Sequence, residues 1–235
     1  MATALIILAA GMGTRMNSHK PKVLHHIGGA PMLAHAMKSG GSLDPTKTVI
    51  VAGHGAEAVR KAAQSYDQGA QIVLQTEQLG TAHAVDQARE ALADFDGDTL
   101  ILYGDTPFIA PETLAAMTAA RRTHDIVVLG FNAASPGRYG RLIIENDQLD
   151  RIVEFKDASD KERAVTLCNS GVIAANRATL FSLISDVKND NAAGEYYLTA
   201  TIGLARARGL TATVVECDEA ETLGINSRAE LSAAA

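Results

Sequence analysis

Tryptophan is absent from the 235-residue sequence, and aromatic residues make up only 4% of it. A core with so few rings must be built mainly from aliphatic side chains and alanine, as the packing of helices on a sheet permits. Hydrophobic residues nevertheless account for 47% of the chain, which excludes global disorder. The length suffices for one large α/β domain.

The sequence also lacks a basic stripe, since 21 Lys and Arg stand against 27 Asp and Glu and the formal net charge is −6. Nucleic acids and anionic membranes require clustered basic residues, so we expect neither as a partner. The oligomeric state is left open. Cys168 and Cys217 lack a metal-ligand spacing, which indicates core thiols in a reducing compartment. With no signal peptide pattern and no apolar run near the roughly 20 residues of a membrane span, a cytoplasmic protein is predicted.

The first 133 residues alternate between apolar runs and helical patterns. Strands are predicted at 4–10, 48–52, 71–74, 99–103 and 126–131, and helices at 31–38, 56–65, 81–92 and 111–122. Thr81 is the predicted N-cap of its helix. This alternation predicts an α/β fold with a mainly parallel sheet and a ligand crevice beyond the carboxyl ends of the strands.

The pattern becomes mixed from residue 134 onward. Strands are predicted at 139–145, 148–155, 168–174 and 211–216, and helices at 177–184, 198–208 and up to 231. The first two of these strands should form a hairpin at Asn146-Asp147, and Ser227 should cap the last helix. The apolar run before Asn226 is compatible with another sheet strand. We expect this half to cover the site.

The most informative stretch follows the first strand. The strand runs into GMGTR, residues 11–15, and Lys22 follows seven residues after Arg15. Glycines let backbone N–H groups approach an anion without a Cβ in the way, and the two cations add fixed positive charge. This combination predicts a polyphosphate site at the carboxyl edge of the sheet.

The familiar phosphate loops do not fit this stretch. A dinucleotide-binding loop needs a third glycine where Met16 stands and an acidic residue after the second strand, which ends VAGH. A Walker loop needs Gly-Lys followed by Ser or Thr, a sequence that does not occur. What remains, LAAGMGTRM followed by PKVL, resembles the signature of sugar-1-phosphate nucleotidyltransferases. The alternative is a purely structural turn.

Three further groups of residues could complete such a site. Gln75, Gly80 and Thr81 leave the third strand in QTEQLGTAH, where an amide can pair with a base edge; alternatively they only begin a helix. Asp105 directly follows a buried strand, and it could hold magnesium with an amide ligand such as Asn226. The alternatives are a turn aspartate and a helix N-cap asparagine.

The third group would contact sugar hydroxyls, which need a few fixed donors and acceptors. Its members are polar or small residues of the mixed half: Gly140, Glu154, Asn169, Glu195, Tyr197 and Thr199. A hairpin glycine, an exposed strand glutamate, a turn asparagine and a helix-capping box are the alternatives. Other chemistries have little support, since a Gly-x-Ser-x-Gly sequence is missing and His25-His26 suits packing or surface better than metal binding.

Together these motifs resemble the uridylyltransferase domain of bacterial bifunctional uridylyltransferase/acetyltransferases of the sugar-1-phosphate nucleotidyltransferase family. The matching segments run along the whole chain and include PKVLHHIGGAPML, QTEQLGTAHAV, LYGDTPF, YGRLI, IVEFKDA, CNSGVI, GEYYLTATI and LGINSRAEL. The resemblance implies a Rossmann-like, mostly parallel sheet with flanking helices and a smaller β-rich sugar-binding lobe, the nucleotide-diphospho-sugar transferase fold. Residues 1–133 would be mainly nucleotide-binding and 134–226 sugar-binding, within one domain spanning 1–235.

The resemblance also implies a reaction, in which UTP and N-acetylglucosamine 1-phosphate give UDP-N-acetylglucosamine and pyrophosphate with Mg²⁺ as cofactor. Arg15 and Lys22 would be catalytic, and Asp105 and Asn226 would bind the metal. The nucleotide-binding residues would be Leu8, Ala9, Ala10, Gly11, Gly13, Lys22, Gln75, Gly80, Thr81, Tyr103, Gly104 and Asp105. Gly140, Glu154, Asn169, Glu195, Tyr197 and Thr199 would bind the sugar.

The bifunctional enzymes continue into a β-helix that carries the acetyltransferase site, and a β-helix is not expected within these 235 residues. Whether the chain is a piece or a stand-alone enzyme is left open. Two rival functions remain as well. One is a sister transferase for another sugar or nucleotide, and the other is a non-catalytic nucleotide-sugar sensor.

Overall fold

The computed structural model describes residues 2–234. Its strands are β1 (Thr3–Ala9), β2 (His26–Ile27), β3 (Ala30–Pro31), β4 (Lys47–Ala52), β5 (Gln71–Leu74), β6 (Asp98–Tyr103), β7 (Ile126–Asn132), β8 (Arg141–Glu145), β9 (Gln148–Val153), β10 (Leu167–Asn176) and β11 (Ala212–Cys217). Its α-helices are α1 (Met32–Gly41), α2 (Ala56–Tyr66), α3 (Thr81–Asp86), α4 (Pro111–Ala120), α5 (Asp160–Arg163), α6 (Arg177–Ile184), α7 (Ala200–Ala207) and α8 (Arg228–Ala234). Among the described residues, no helix is both long and apolar enough to cross a membrane.

One central sheet has the strand order β11-β7-β10-β6-β1-β4-β5. Strand β1 pairs in parallel with β4 and β6, β4 with β5, and β7 with β11. Only β10 runs antiparallel to its neighbours in this row, and the β8–β9 hairpin joins it through the pairing of Cys168 with Arg141. The predicted fold class, an α/β fold with a mostly parallel sheet, is confirmed.

Both faces of the sheet are buried, as a parallel sheet with helices on each side requires. Along β1, Ile6 and Leu8 belong to one aliphatic cluster with residues of α3, α6 and α7. Leu5 and Ile7 point the other way, into a cluster with residues of α1, α2 and α4. The aromatic-poor composition is thus satisfied by Ile, Leu, Val and Ala packing on each side.

The predicted hairpin at Asn146-Asp147 is present, and both turn residues have positive φ, 51° and 60°. Asn and Asp tolerate that conformation, and a turn of this kind follows the natural twist of two antiparallel strands. Local chemistry therefore sufficed to predict this element.

Two predicted elements are wrong. The helix expected at 81–92 is α-helical only over Thr81–Asp86 and continues as turns. Its N-cap position is occupied by Gly80, because the Thr81 hydroxyl instead accepts a hydrogen bond from the Leu198 N–H, at 2.9 Å. The run before Asn226 is not a strand; the Ile225 N–H donates to the carbonyl of Asp105, at 3.0 Å, beyond the end of β6.

The register of the sheet fixes where the loops meet. Leu8 of β1 pairs with Tyr103 of β6, and Ala9 pairs with Ala52 of β4. The Gly104 N–H donates to the Leu8 carbonyl, at 2.9 Å. The glycine stretch after β1 and the Gly104-Asp105 turn after β6 therefore lie side by side at the carboxyl edge.

Candidate active site

The glycine stretch lies directly against Lys22. A Cβ atom at position 13 would come within 2.7 Å of the Lys22 Cβ. The short 3-10 helix Lys22–Leu24 buries Val23 and Leu24, which fixes the base of the lysine side chain. Gly13 is therefore needed for close approach between the loop and the cation.

Lys22 connects the two predicted metal ligands. Its ammonium group forms an ion pair with the Asp105 carboxylate and donates to the Asn226 amide oxygen, at 3.0 Å. The side chains of Lys22 and Asp105 are only 13% and 18% exposed. Two oxygen donors from distant parts of the chain thus converge on one point at the sheet edge.

Asn226 does not cap a helix, so that alternative is wrong. Ser227 takes this position, since its hydroxyl accepts from the Glu230 N–H at 3.2 Å while its own N–H donates to the Glu230 carboxylate at 2.9 Å. The side chain of Asn226 remains available for the contact with Lys22.

Arg15 is placed differently from the other residues of the loop. It lies on the exposed 3-10 helix Thr14–Met16, and it is not among the described residues that line the cleft. The buried side chain of Met16 holds this short helix to the body of the protein.

Most of the predicted nucleotide-binding residues lie along a cleft of about 320 Å³. Its lining residues are Leu8, Ala9, Ala10, Gly11, Lys22, Val23, Gln75, Gln78, Gly80, Thr81, Ala84, Tyr103, Asp105 and Glu195. Of the predicted nucleotide-binding residues, only half-buried Gly13 and buried Gly104 are not among those that line the cleft. Sequence reasoning missed Val23, Gln78 and Ala84. Val23 and Ala84 carry no chemical signal by residue type, and Gln78 has the same amide as Gln75 but does not directly follow the strand.

Gly80 connects this cleft to the second half of the chain. It has φ of +116°, and a Cβ atom there would lie 2.6 Å from the Tyr196 carbonyl oxygen. Tyr196 bonds on both sides of it, accepting from the Ala82 N–H and donating to the Leu79 carbonyl, each at 2.8 Å. The motifs QLGTAHA and EYYLT are therefore two sides of one structural contact.

Tyr103 lines the cleft, and a Cβ atom at Gly171 would come within 2.7 Å of its ring. Burial raises the pKa of its phenol, and the negative charges of Glu154 and Asp105 raise this pKa further. The phenol is therefore neutral at physiological pH, and the carboxylates of both Glu154 and Asp105 act on it electrostatically.

Four of the predicted sugar-binding residues lie together. The Thr199 hydroxyl donates to the Glu154 carboxylate, at 3.0 Å, and the Asn169 N–H donates to the Gly140 carbonyl, at 2.9 Å. Gly140 lies beside Glu154, since a Cβ there would be 3.5 Å from both carboxylate oxygens. The Asn169 side chain also accepts from the Gly171 N–H at 3.0 Å, as a turn asparagine does.

The two remaining predicted sugar-binding residues lie apart from each other. Glu195 lines the cleft described above, whereas Tyr197 lines a second cavity of about 560 Å³ together with Glu154 and Thr199 of this group. Burial raises the pKa of Tyr197, and the charges of Asp157, Glu154 and Glu195 add to that shift.

Buried Arg141 explains how the sequence positions Gly140. Its guanidinium group donates to the carbonyls of Gly137 at 3.1 Å and Arg163 at 3.3 Å and also contacts the Tyr139 carbonyl. Charge-assisted hydrogen bonds of this kind fix a loop firmly. The segment that enters β8 is therefore tied to the end of α5.

Burial also acts on Glu154. Desolvation raises the pKa of its carboxyl, the charges of Asp157 and Glu195 raise it as well, and the hydrogen bond from Thr199 opposes the shift. This carboxylate is held in a less polar environment than a surface glutamate, which suits directional contacts with hydroxyl groups.

Other candidate groups show no sign of chemistry. Within residues 2–234 no cluster of three or more His, Cys, Asp or Glu side chains could hold a metal. Cys168 is fully buried, and burial next to the charges of Glu221 and Asp218 raises the pKa of Cys217 to about 12. The His25 Nε2 is buried, and desolvation lowers the pKa of that ring, consistent with packing.

Comparison with known proteins agrees with this geometry. Residues 5–183 match the family model described as the MobA-like NTP transferase domain. The chain is 66% identical to the bifunctional protein GlmU of Roseobacter denitrificans over 100% of its own length and 52% of that protein. It is 57% identical to the bifunctional protein GlmU of Paracoccus denitrificans, over 98% of this chain and 51% of that protein. The chain thus spans about half the length of these relatives, and the resemblance to the N-terminal part of the bifunctional enzymes is confirmed.

Solved structures with similar folds have much lower identity. A UDP-glucose pyrophosphorylase complexed with UDP-glucose superimposes with a TM-score of 0.80 at 17% identity, covering 100% of this chain and 97% of that one. A glucose-1-phosphate thymidylyltransferase described as putative, from Bacillus anthracis, gives a TM-score of 0.77 at 22% identity, covering 99% and 94%. At such identities the likeness establishes the fold alone.

Proposed function

The chain belongs to the MobA-like NTP transferase domain family, and we propose that it transfers UMP from UTP to N-acetylglucosamine 1-phosphate, releasing pyrophosphate. The observation that carries this proposal is the convergence of Lys22, Asp105 and Asn226 beside the glycine stretch. This cluster lies at the sheet edge, in a position to serve a nucleotide bound in the cleft. High identity to the bifunctional GlmU proteins supports the choice of substrates.

The nucleotide would lie along the cleft with its base near Gln75 and Gly80 and its phosphates near residues 8–13. Gln75 is only 4% exposed, so a base edge that reaches it is shielded from water. Backbone N–H groups of the glycine stretch, together with Lys22, supply positive potential for the triphosphate. The hydrophobic lining by Leu8, Val23 and Ala84 suits the faces of a base and a ribose.

The donor set fits a divalent cation, and Mg²⁺ is the ion that we propose. The Asp105 carboxylate and the Asn226 amide oxygen contact the same ammonium group, so both oxygens can face one cation. Magnesium commonly takes one or two protein oxygens and completes its shell with water and substrate phosphates. When bound there it would neutralise phosphate charge.

In the proposed reaction, an oxygen of the sugar phosphate attacks the α-phosphorus of UTP. A bond forms between them, the bond from the α-phosphorus to the oxygen bridging to the β-phosphate breaks, and pyrophosphate leaves. The nucleophile is already ionised, so a general base is not needed. The protein's task is to align two anions that repel each other and to offset their charge.

The catalytic residues in this proposal are Lys22 and Arg15. Lys22 is positioned to exchange its present partners for phosphate oxygens. Arg15 lies on an exposed segment beside the cleft, and its guanidinium would contact the leaving pyrophosphate once that segment folds over the nucleotide. Gly140, Glu154, Asn169 and Thr199 would hold the sugar hydroxyls and the acetamido group, with Glu195 and Tyr197 at the margins.

A panel assay tests the proposal. Pyrophosphate release is measured with each of the four ribonucleoside triphosphates against N-acetylglucosamine 1-phosphate and glucose 1-phosphate, with and without Mg²⁺. We expect rapid, magnesium-dependent release from UTP with N-acetylglucosamine 1-phosphate. Release with another pair would instead indicate a sister transferase, and UDP-sugar binding without any release would indicate a sensor.

A further inference from the structure

The side-chain amide of Gln75 is held by two neighbours. Its nitrogen donates to the Gly80 carbonyl, at 3.2 Å, and lies 3.1 Å from the Nδ1 atom of His83. Gln75 is buried, and it lines the nucleotide cleft. Both contacts therefore decide which end of this amide a bound base would meet.

The Gly80 contact is one of the two constraints on the direction of the amide. A backbone carbonyl can only accept, so the amide nitrogen faces it in the structure. The same nitrogen then requires an acceptor at His83, which means that Nδ1 carries no proton and that the neutral ring is protonated at Nε2. The amide oxygen of Gln75 is the polar atom left for a ligand.

Gln87 lies at the other side of the imidazole ring. Its amide nitrogen is 3.2 Å from Nε2 and 3.0 Å from the His83 carbonyl. A neutral ring has only one acceptor nitrogen and cannot accept from both amides, so one of the two must give up its contact with the ring. Gln87 is half-buried and can do so, whereas Gln75 is buried and tied to Gly80.

The exposed end of the Gln75 amide has a direct consequence for the base. Uracil carries a proton on N3, whereas N3 of cytosine is an acceptor. An amide oxygen accepts a hydrogen bond from N3–H of uracil, whereas it repels the N3 lone pair of cytosine. Without an acceptor at His83, only the Gly80 carbonyl would hold the amide nitrogen, the amide could turn over to present its NH₂ group, and the preference for uracil would weaken.

We propose that His83 is a positioning residue that fixes the Gln75 amide with its oxygen toward the ligand and thereby selects uracil over cytosine. This inference rests on the proposed function, because it presumes that a pyrimidine base reaches Gln75. It adds to that function a residue outside the lining of the cleft that sets base specificity through another side chain.

Two substitutions at position 83 test it. His83→Leu removes the acceptor, and His83→Asn keeps an acceptor oxygen at the δ position. Binding of UTP and CTP to the whole chain is measured by calorimetry, and kcat/KM is measured for both nucleotides. The Michaelis constant for the sugar phosphate and the melting temperature serve as readouts of general damage, and Glu90→Ala, an exposed change on the following turn, is the matched control.

For His83→Leu we expect the UTP-to-CTP ratio to fall by about tenfold or more, the size of effect that an unsatisfied buried polar group produces. The sugar-phosphate constant should stay near wild type, and His83→Asn should recover most of the ratio. An unchanged ratio in His83→Leu, or an equal loss of both nucleotides that Asn does not repair, would overturn the role of His83. Absence of pyrophosphate release from the wild type would overturn the proposed function instead. The UTP-to-CTP binding ratios of the wild type and of His83→Leu would still test the role of His83.

Discussion

The Nζ atom of Lys22 lies 3.0 Å from the amide oxygen of Asn226, a residue 204 positions further along the sequence. The same ammonium group forms an ion pair with Asp105, so one cation beside the glycine stretch connects the turn after β6 to the segment before α8. A divalent cation that takes both oxygens must displace this ammonium group, which is then available for phosphate.

Lys22→Met should therefore separate turnover from cation binding. We expect the rate of pyrophosphate release to fall by about a hundredfold or more, as for the loss of one preorganised charge. Affinity for Mn²⁺, measured by electron paramagnetic resonance without nucleotide, should rise because the competing ammonium is gone. The exposed Lys20→Met is the control and should change neither quantity. A weaker Mn²⁺ site in Lys22→Met would contradict the arrangement.

Gly80→Ala should damage both stability and nucleotide binding. Its positive φ and the 2.6 Å approach of a Cβ to the Tyr196 carbonyl force the backbone to move. A loss of about 1–3 kcal/mol in the free energy of unfolding is expected, together with a higher Michaelis constant for UTP. Gly203→Ala, in helix α7 with open space around its Cβ, should be neutral or mildly stabilising. Equal effects at both positions in urea unfolding would refute the explanation.

The buried ion pair between Asp98 and Arg121, at 2.6 Å, should matter for folding more than for catalysis. Asp98→Ala leaves an arginine buried without its partner, which costs about 3–5 kcal/mol in the free energy of unfolding. Replacing both residues, as Asp98→Leu with Arg121→Met, should recover much of this loss. Glu57→Ala, which breaks an exposed pair with Arg60, should change stability by less than about 1 kcal/mol. A double variant as unstable as the single one would contradict the prediction.

Glu154 should make sugar-phosphate binding sensitive to acid. Burial raises the pKa of its carboxyl above the ordinary value of 4.5, so this group takes up a proton earlier than a free glutamate as the pH falls. The Michaelis constant for the sugar phosphate should therefore rise as the pH falls toward that raised pKa, and Glu154→Gln should remove the dependence.

The same shift has a consequence for stability, with the opposite sign. A raised pKa in the folded state favours the neutral form, and that contribution is present below pH 4.5 and is lost as the pH rises through the raised value. At neutral pH, Glu154→Gln should thus raise the melting temperature while raising the Michaelis constant for the sugar phosphate about tenfold. A lower melting temperature at neutral pH would contradict this account, and Glu145→Gln on the exposed end of β8 is the control.

Neither thiol should react in the native protein. Cys168 is fully buried, and desolvation raises the pKa of Cys217 to about 12, so little thiolate is present at pH 8. Ellman's reagent should label both cysteines in denaturant and almost none without it. Fast labelling of one thiol in the folded protein would show that its environment is more open than the structure indicates.

Much of this arrangement could be predicted from sequence because its determinants are local. The apolar run before the glycine stretch, the Asn146-Asp147 turn and helix α6 each follow from neighbouring residues. Asp105 could be placed at the sheet edge because it directly follows a buried strand.

The errors and omissions occur where a distant segment decides the local structure. Thr81 has the chemistry of an N-cap, yet Leu198 competes for its hydroxyl. Asn226 resembles a cap as well, but its neighbour Ser227 caps the helix and Lys22 takes its amide. The contact between His83 and Gln75 links a helix to a strand end, and nothing in the residue types alone indicates which end of the amide faces the ligand.

The origin of the new bond tests the central claim most directly. N-acetylglucosamine 1-phosphate labelled with oxygen-18 in its phosphate is incubated with UTP, Mg²⁺ and the chain, and both products are analysed by mass spectrometry. If the sugar phosphate attacks the α-phosphorus of UTP, all of the label appears in UDP-N-acetylglucosamine and none in pyrophosphate. Label in the pyrophosphate, or a product without labelled phosphate, would contradict the proposed transfer.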